Sequence, residues 1–243
     1  RMVGLLVASQ QQGKIGMVME LADRGSLYHF LHEETNDLNW KLALSILNQT
    51  TRGLLALHRN DPVILHRDLK TLNILVCSVS PAHGGSSSLG LGIKICDFGL
   101  SRLSTAENCR TLQRVRGTFA YLAPECLEGL SVQYTDRSDV YSLGIVFWEL
   151  LTRLLTRKYQ RPFSEFKDIT LDYQILFKVA QQDARPTIPP ACPPSLRNLV
   201  QLMLLRDPDA RPSAEAIVGF LAEIENSYKA SPSPFDSTIT AAP

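Results

Sequence analysis

Two short stretches of the sequence contain polar residues at spacings that suit one kind of chemistry. Asp68, Lys70 and Asn73 lie within HRDLKTLN, and Asp97 begins the triplet DFG further along the chain. The carboxylate of Asp68 can accept the proton of a hydroxyl, and the amine of Lys70 can neutralise anionic charge. The oxygens of Asn73 and Asp97 are hard ligands of the kind that Mg²⁺ prefers. Phosphoryl transfer needs all three of these functions, so the residues predict a phosphoryl-transfer site.

Apolar patterns predict the elements that position these residues. The segments MVGLLVAS and IGMVMELA read as a β-hairpin near the start of the chain. From Trp40 to His58 apolar residues recur at helical spacing, and Asn39 is the predicted N-cap. The run VYSLGIVFWELL after Asp139 is apolar on nearly every side, which is typical of a fully buried helix. A last helix is predicted from about Ser213 to Tyr228.

The composition excludes several classes of protein. With 243 residues, 44% of them hydrophobic, the chain can bury a full core. Its net charge of +1 gives no broad basic surface for nucleic acid or an anionic membrane. The five cysteines are scattered without a C-x-x-C pair, so neither a disulfide framework nor a zinc site is predicted. Because no apolar run reaches transmembrane length and no signal peptide opens the chain, we expect a protein of the reducing cytoplasm.

Five motifs occur together in one order: HRDLKTLN, DFG, GTFAYLAPE, SDVYSLG and DPDARPS. In this order they resemble the eukaryotic protein kinases, and the resemblance extends over residues 1 to about 228. A lone Asp, Lys or Asn in a loop is most often a turn former or a solvated charge, so the linkage of five motifs is what favours catalysis. The implied fold class is α+β: a protein-kinase-like fold, mainly the α-helical large lobe with a two-stranded remnant of the small β lobe.

The resemblance and the composition divide the chain into parts. Residues 1–22 are the expected remnant of the small lobe, two strands and the hinge, and residues 23–228 are the large lobe. Within the large lobe, residues 97–125 are the implied activation segment. The Gly- and Ser-rich residues 77–92 are predicted to be a flexible insertion. Residues 229–243 are predicted to be a disordered tail.

The resemblance implies a role for each candidate site residue. Asp68, Lys70 and Asn73 are the implied catalytic residues, with Asp68 accepting the proton and Lys70 neutralising charge on the γ-phosphate of ATP. Asn73 and Asp97 are the implied ligands of Mg²⁺. The residues implied to contact ATP are Met19, Glu20, Ala22, Ser26, Lys70, Asn73, Leu75 and Asp97.

The adenine contacts are expected on both sides of the hinge. The backbone of residues 20–22 fits the hinge that binds adenine, Leu75 is expected beneath the base, and Ser26 is expected near the ribose. Met19 would be an ordinary core methionine if read alone, but by resemblance it occupies the gatekeeper position beside the adenine.

Other motif residues are implied to be structural. Asp139 is expected to hold the backbone of the catalytic loop by hydrogen bonds, and Glu125 is expected to form a buried ion pair with Arg211. His66 and Phe98 are expected to stack in the core rather than to take part in chemistry.

The same loops imply the class of substrate. Lys70, two residues after Asp68, follows the pattern of serine/threonine kinases, and the Thr118 hydroxyl can bridge these two side chains in such enzymes. The segments GSLYHFL, GTFAYLAPE and RPTIP resemble the tyrosine-kinase-like branch, whose members mostly phosphorylate Ser and Thr. The implied partner is a protein substrate with a Ser or Thr acceptor, and the oligomeric state is left open.

One departure from the family keeps two hypotheses open. Kinases carry a Gly-rich loop, a phosphate-binding Lys and a partner Glu ahead of the strand that MVGLLVAS resembles, and this sequence contains none of the three. We expect an N-terminally truncated fragment of a serine/threonine kinase that is inactive in isolation. The alternative is a truncated pseudokinase that acts as a binding or scaffold module. The complete set of Asp68, Lys70, Asn73 and Asp97 favours the enzyme.

Overall fold

The computed structural model describes residues 7–11, 14–18, 20–79, 90–97, 102–103, 119–126 and 134–239. Its helices are α1 (Leu27–His32), α2 (Trp40–His58), α3 (Asp136–Thr156), α4 (Gln174–Gln182), α5 (Pro194–Met203), α6 (Ala214–Ala230) and α7 (Ser233–Asp236). Its strands are β1 (Val7–Gln11), β2 (Lys14–Val18), β3 (Ile64–Leu65), β4 (Ile74–Ser78), β5 (Leu91–Ile95) and β6 (Arg102–Leu103). Among these strands, β1 pairs with β2, β3 with β6 and β4 with β5, each antiparallel.

Helix α2 forms where the apolar spacing predicts it. Asn39 is its N-cap, since the side-chain oxygen of Asn39 accepts a hydrogen bond from the Leu42 N–H at 3.0 Å. Trp40, Leu47 and Leu54 are seven residues apart, which is close to two helical turns, and all three are fully buried. The helix packs against α3, α6 and β5, so it lies inside the core.

Helix α3 is buried along most of its length. A capping box at Thr135 fixes its start: the Thr135 N–H donates to Ser138 Oγ at 3.2 Å, and the Thr135 hydroxyl accepts from the first turn. The apolar run after Asp139 is therefore the middle of a longer helix that begins at Asp136. Because α2 and α5 both pack against it, residues on several of its faces avoid water.

Part of the predicted flexible insertion, residues 77–92, is wrong, because its two ends lie in strands β4 and β5. They form an antiparallel hairpin whose register sets Ser78 opposite Leu91. Both ends of the segment 77–92 therefore belong to paired strands, because backbone hydrogen bonds outweigh the weak strand preference of its Gly and Ser residues. Residues 80–89 of the predicted insertion lie outside the described residues.

The C-terminal segment also differs from the prediction. Residues 229–243 were expected to be disordered, yet α6 continues to Ala230 and is followed by α7. Phe235 of α7 is buried, its ring meets the Trp40 ring edge to face at 5.5 Å, and its carbonyl accepts a hydrogen bond from Trp40 Nε1 at 2.6 Å. The segment therefore covers part of the core, and the last residues, 240–243, lie outside the described ranges.

The architecture matches the predicted fold class. The β1–β2 pair comes first in the described chain, and a mainly helical large lobe follows it. The predicted catalytic loop, residues 66–73, connects β3 to β4 and lies beside the N-terminal part of α3. None of the helices in the described ranges is both long and apolar enough to cross a membrane.

Two helix glycines give a matched test of this packing. A Cβ on Gly144 of α3 would lie 2.9 Å from Leu204 Cδ2 and 3.0 Å from Met203 Cβ, whereas a Cβ on Gly219 of α6 would meet nothing within 4 Å. We expect Gly144→Ala to lower the free energy of unfolding by ~1–3 kcal/mol through overpacking. Gly219→Ala should raise it by up to ~1 kcal/mol, because Ala favours the helix. Urea unfolding of both variants measures these changes, and two shifts of the same sign would contradict the described packing.

Candidate active site

The predicted catalytic loop brings its three candidate side chains together. Asp68, Lys70 and Asn73 are all buried. Lys70 Nζ donates to Asp68 Oδ2 at 2.7 Å. Asn73 Nδ2 donates to the same oxygen at 3.0 Å and to the Asp68 carbonyl at 2.8 Å. Because hydrogen bonds to an ionised group are short and directional, these donors hold the Asp68 carboxylate in one orientation.

This arrangement can act on a hydroxyl and an anionic group at the same time. The oriented carboxylate of Asp68 can accept a proton from a hydroxyl within hydrogen-bond reach. The Lys70 ammonium lies beside it and presents positive charge to an anionic group that approaches the same hydroxyl.

The two predicted Mg²⁺ ligands lie at the same end of the β4–β5 hairpin. Asn73 directly precedes β4, Asp97 follows β5, and the Cys96 N–H donates to the Asn73 carbonyl at 2.9 Å. The amide nitrogen of Asn73 bonds to Asp68, so its amide oxygen, the atom that Mg²⁺ would bind, is not used in those bonds. Asp97 is exposed, and its φ of +62° is a left-handed conformation that Asp tolerates better than most residues. One amide oxygen and one carboxylate form a donor set that fits Mg²⁺.

A buried carboxylate on α3 fixes the backbone of the catalytic loop. Asp139 accepts hydrogen bonds from the backbone N–H groups of His66 and Arg67 at 2.8 and 2.9 Å. The Tyr134 hydroxyl donates to Asp139 at 2.7 Å, and His58 Nε2 lies 3.0 Å from it. Arg67 has a φ of +68°, which is strained for a residue other than glycine, and the bond to Asp139 stabilises that conformation. The role expected of Asp139 is confirmed.

The environment of Asp139 keeps its carboxylate charged. Burial alone would raise its pKa, but hydrogen bonding and charge from His58, with the Arg67 N–H, outweigh burial, and the pKa lies below its ordinary value. From the sequence, His58 is expected only on the apolar face of α2. A histidine at the end of an otherwise apolar stripe was the available signal for its second role.

The predicted adenine site lies between the segment after the hinge and β4. The Val76 N–H donates to the Gly25 carbonyl at 2.8 Å, and the Arg24 N–H donates to the Val76 carbonyl at 3.2 Å. The segment therefore runs alongside β4. Leu75 on this strand stays partly exposed between its buried neighbours Ile74 and Val76.

The other predicted ATP contacts differ in what their side chains do. Glu20 is mostly exposed, and its carboxylate pairs with the buried amine of Lys94. Ala22, two residues after Glu20 in the chain, is half-buried. Ser26 is buried, and its side chain is the N-cap of α1, a structural role that needs no nucleotide. Met19 lies outside the described residues.

Glu125 and Arg211 form the expected ion pair, which is buried on the Arg211 side and partly exposed on the Glu125 side. Two nitrogens of the Arg211 guanidinium donate to the two Glu125 oxygens at 2.8 and 2.7 Å, and the Arg211 side chain is fully buried. Such a fork-to-fork pair joins the end of the GTFAYLAPE segment to the loop before α6. His66 is fully buried, as expected, while Phe98 and Thr118 lie outside the described residues.

A second buried carboxyl group on α3 was not predicted as part of the site. Glu149 is 1% exposed and accepts hydrogen bonds from the hydroxyls of Tyr121 at 2.7 Å, Tyr159 at 2.8 Å and Thr71 at 3.4 Å. Burial raises the pKa of Glu149 to about 7, although the three hydroxyls oppose the rise. In the sequence, Glu149 lies within the apolar run VYSLGIVFWELL, and a charged residue inside such a run was the available signal for this cluster.

Comparison with known proteins agrees with this geometry. The family model described as the protein kinase domain matches residues 1–220. The chain therefore belongs to the protein kinase domain family, and its fold is protein-kinase-like.

Curated relatives from Dictyostelium discoideum are similar over nearly the whole chain. The chain is 42% identical to stress-activated protein kinase alpha, over 95% of its own length and 34% of the relative. It is 40% identical to a probable serine/threonine-protein kinase, over 95% of its own length and 26% of that relative. It is 31% identical to a probable tyrosine-protein kinase, over 92% of its own length and 63% of that relative. The chain spans about a third or less of the first two relatives.

Glu149 predicts a dependence of stability on pH. Its pKa rises from an ordinary value of 4.5 to about 7 on folding, so the folded state binds the proton more tightly than the unfolded state. The free energy of unfolding should therefore fall as the pH rises through this window, by roughly 3 kcal/mol in total. Glu149→Gln removes the titration, so the Tm of this variant relative to the parent should increase between about pH 5 and about pH 8.

Thermal unfolding followed by circular dichroism checks this prediction. Glu223→Gln, at an exposed position on α6, is the matched control, and its Tm difference from the parent should stay constant. A constant difference for Glu149→Gln would mean that Glu149 does not titrate in this range.

Proposed function

We propose that the chain is the catalytic part of a serine/threonine protein kinase, which transfers the γ-phosphoryl group of ATP to Ser or Thr hydroxyls of protein substrates. Membership of the protein kinase family supports the reaction class. The observation that carries the proposal is the Asp68 carboxylate, which Lys70 and Asn73 orient and whose loop is fixed by Asp139.

Each catalytic side chain has a defined task in this reaction. Asp68 takes the proton of the substrate hydroxyl while the hydroxyl oxygen bonds to the γ-phosphorus and the bond from that phosphorus to the bridging oxygen of ADP breaks. Lys70, 2.7 Å from Asp68, stabilises negative charge on the group in transfer. Bound Mg²⁺ would neutralise the phosphates, and Asn73 with Asp97 are its proposed ligands.

The proposed nucleotide site combines the hinge with the β4–β5 hairpin. Backbone groups of Glu20 and Ala22 bind adenine beside Met19, and Leu75 supports the base from below. The partial exposure of Leu75 and its position next to the segment after the hinge support this assignment. The proposed contact of Ser26 with the ribose has weaker support, because its hydroxyl caps α1.

The substrate class and the branch of the family rest on sequence features and on relatives. The Lys70–Asp68 contact supports a Ser or Thr acceptor, and relatives named as probable serine/threonine-protein kinases are more similar to the chain than the probable tyrosine-protein kinase is. The segments GSLYHFL, GTFAYLAPE and RPTIP support the tyrosine-kinase-like branch. Such an enzyme would act in signalling.

We expect residues 1–243 on their own to transfer phosphate poorly. The Gly-rich loop, the phosphate-binding Lys and its partner Glu are not among these residues, so the phosphates of ATP would be anchored mainly through Asn73 and Asp97. The β1–β2 pair is also a two-stranded sheet, which is marginally stable without further strands. Activity is therefore best tested in the full-length protein that contains this chain.

Replacement of Asp68 tests the proposed function directly. In the full-length protein, Asp68→Asn should lower kcat for phosphate transfer by ~10²–10⁴-fold, because an amide cannot accept the proton. Binding of Mg·ATP, measured by calorimetry, should change little. The control is Asp37→Asn, since the Asp37 side chain is 85% exposed and far along the chain from the catalytic loop.

The outcomes separate the two hypotheses left open by the sequence. Retention of more than half of the parental kcat by Asp68→Asn would remove Asp68 from the proposed role. A full-length parent that transfers no phosphate to any protein would favour the binding or scaffold module instead.

A further inference from the structure

A buried lysine in the β4–β5 hairpin forms an ion pair with the hinge, residues 20–22. Lys94 lies on β5, and its amine bonds to the carboxylate of Glu20. The Lys94 side chain is 9% exposed, whereas the Glu20 side chain is 57% exposed. The pair therefore connects the interior of the hairpin to the segment that is proposed to bind adenine.

The strand register sets Lys94 beside the residue that is proposed to support the base. In the antiparallel β4–β5 pair, Lys94 lies directly opposite Leu75. Side chains of directly opposite residues project from the same face of a sheet. Leu75 is also bridged to Ser26, in the segment that follows the hinge. Lys94 thus lies on the face of the hairpin that meets this segment.

Other contacts attach the chain after the hinge to β4. The Ser78 N–H donates to Asp23 Oδ1 at 2.7 Å, and the Val76 N–H donates to the Gly25 carbonyl at 2.8 Å. The ion pair extends this attachment back to residue 20, and it adds a contact from β5, the second strand of the hairpin. Both strands therefore take part in holding the hinge and the segment after it.

The burial of the Lys94 ammonium indicates what the pair contributes. Taking an ammonium out of water costs free energy unless a partner compensates it, and an apolar residue opposite Leu75 would pack in the hairpin without that cost. Glu20 gains little stability from its partner, because its carboxylate lies mostly in water. What the pair adds is a fixed orientation for Glu20, since an exposed side chain is otherwise free to rotate.

From these contacts we infer that Lys94 is a positioning residue for adenine recognition: by holding the Glu20 side chain, it fixes the hinge backbone that bonds to the base. The inference rests on the proposed function, and it adds a residue through which the base is selected. A backbone that is held in place before binding loses less entropy when the nucleotide binds. It also discriminates between bases, because adenine presents an amino donor where guanine presents an oxygen acceptor.

Nucleotide binding to the full-length protein tests this role without requiring turnover. Calorimetry measures the Kd for Mg·ADP and for Mg·GDP, and a separate assay measures KM for ATP and kcat. Lys94→Met replaces the ammonium with an apolar group and leaves the Glu20 carboxylate in water, so the variant should fold. We expect it to raise the Kd for Mg·ADP and the KM for ATP by roughly tenfold, to leave kcat within about twofold, and to lower the preference for ADP over GDP.

A double variant shows whether Lys94 acts through Glu20. Glu20→Gln removes the charge that Lys94 meets and should weaken Mg·ADP binding in the same direction; because Glu20 is mostly exposed, it also provides a test if Lys94→Met does not fold. If the two residues act as one unit, the variant with both changes should bind Mg·ADP no more weakly than Lys94→Met alone.

The matched control replaces a lysine in a similar pair outside the proposed site. Lys178 on α4 is 17% exposed, and it pairs with Asp168, which is 63% exposed. Lys178→Met should therefore leave the Kd for Mg·ADP and the preference for ADP over GDP unchanged.

The outcomes separate this inference from the proposed function. Unchanged affinity for Mg·ADP in Lys94→Met, an unchanged preference for ADP over GDP, or losses that add in the double variant would each overturn the inference, while phosphate transfer by the parent would still support the kinase. Weaker and less selective ADP binding in Lys94→Met, together with a parent that transfers no phosphate to any protein, would support the positioning role and overturn the proposed kinase function. A parent that binds no Mg·ADP would overturn both.

Discussion

The catalytic loop depends on one buried carboxylate, that of Asp139. Its two oxygens accept hydrogen bonds from the backbone N–H groups of His66 and Arg67, the latter held at a left-handed φ. A buried charge is stable only when it is paired and hydrogen-bonded, and here the loop backbone, Tyr134 and His58 supply the partners. The cost of burying the charge and the strain in the loop are therefore offset by the same set of contacts.

The positions of the other site residues depend on this fixed backbone, because each contacts the next along the chain. Asp68 follows directly after the fixed backbone at Arg67, and its carboxylate accepts hydrogen bonds from Lys70 and Asn73. The Asn73 carbonyl then accepts from the Cys96 N–H, which brings the end of β5 and Asp97 beside the loop. Helix α3 contributes at two points, since Asp139 holds the loop and Glu149, further along the helix, binds the Thr71 hydroxyl. One buried helix thus supports the predicted catalytic loop near its start and near its end.

The sequence predicted what depends on local pattern and on linked motifs. Helix α2 could be predicted because its N-cap and apolar spacing lie within one segment, and the Asp139 and Glu125–Arg211 contacts followed from the family resemblance. Contacts between distant segments that no family motif links were missed, because neither partner shows a pattern by itself. The bond from Trp40 to Phe235 orders a segment whose composition suggests disorder, and Glu149 gains its role only when Tyr121 and Tyr159 fold against it. The β4–β5 pairing likewise depends on hydrogen bonds across a Gly- and Ser-rich stretch.

The most direct test of this account is amide hydrogen exchange of the catalytic loop in the Asp139→Asn variant. An amide cannot accept from both backbone N–H groups in the same way as a carboxylate, so the peptide that spans residues 64–73 should exchange faster than in the parent, while peptides from α6 keep their protection. Asp136→Asn, at the start of the same helix, is the control and should leave the loop unchanged, since Asp136 pairs with Arg137 at the partly exposed start of the helix. Unchanged protection of residues 64–73 in Asp139→Asn would show that this carboxylate does not hold the loop, and it would contradict the account of the site.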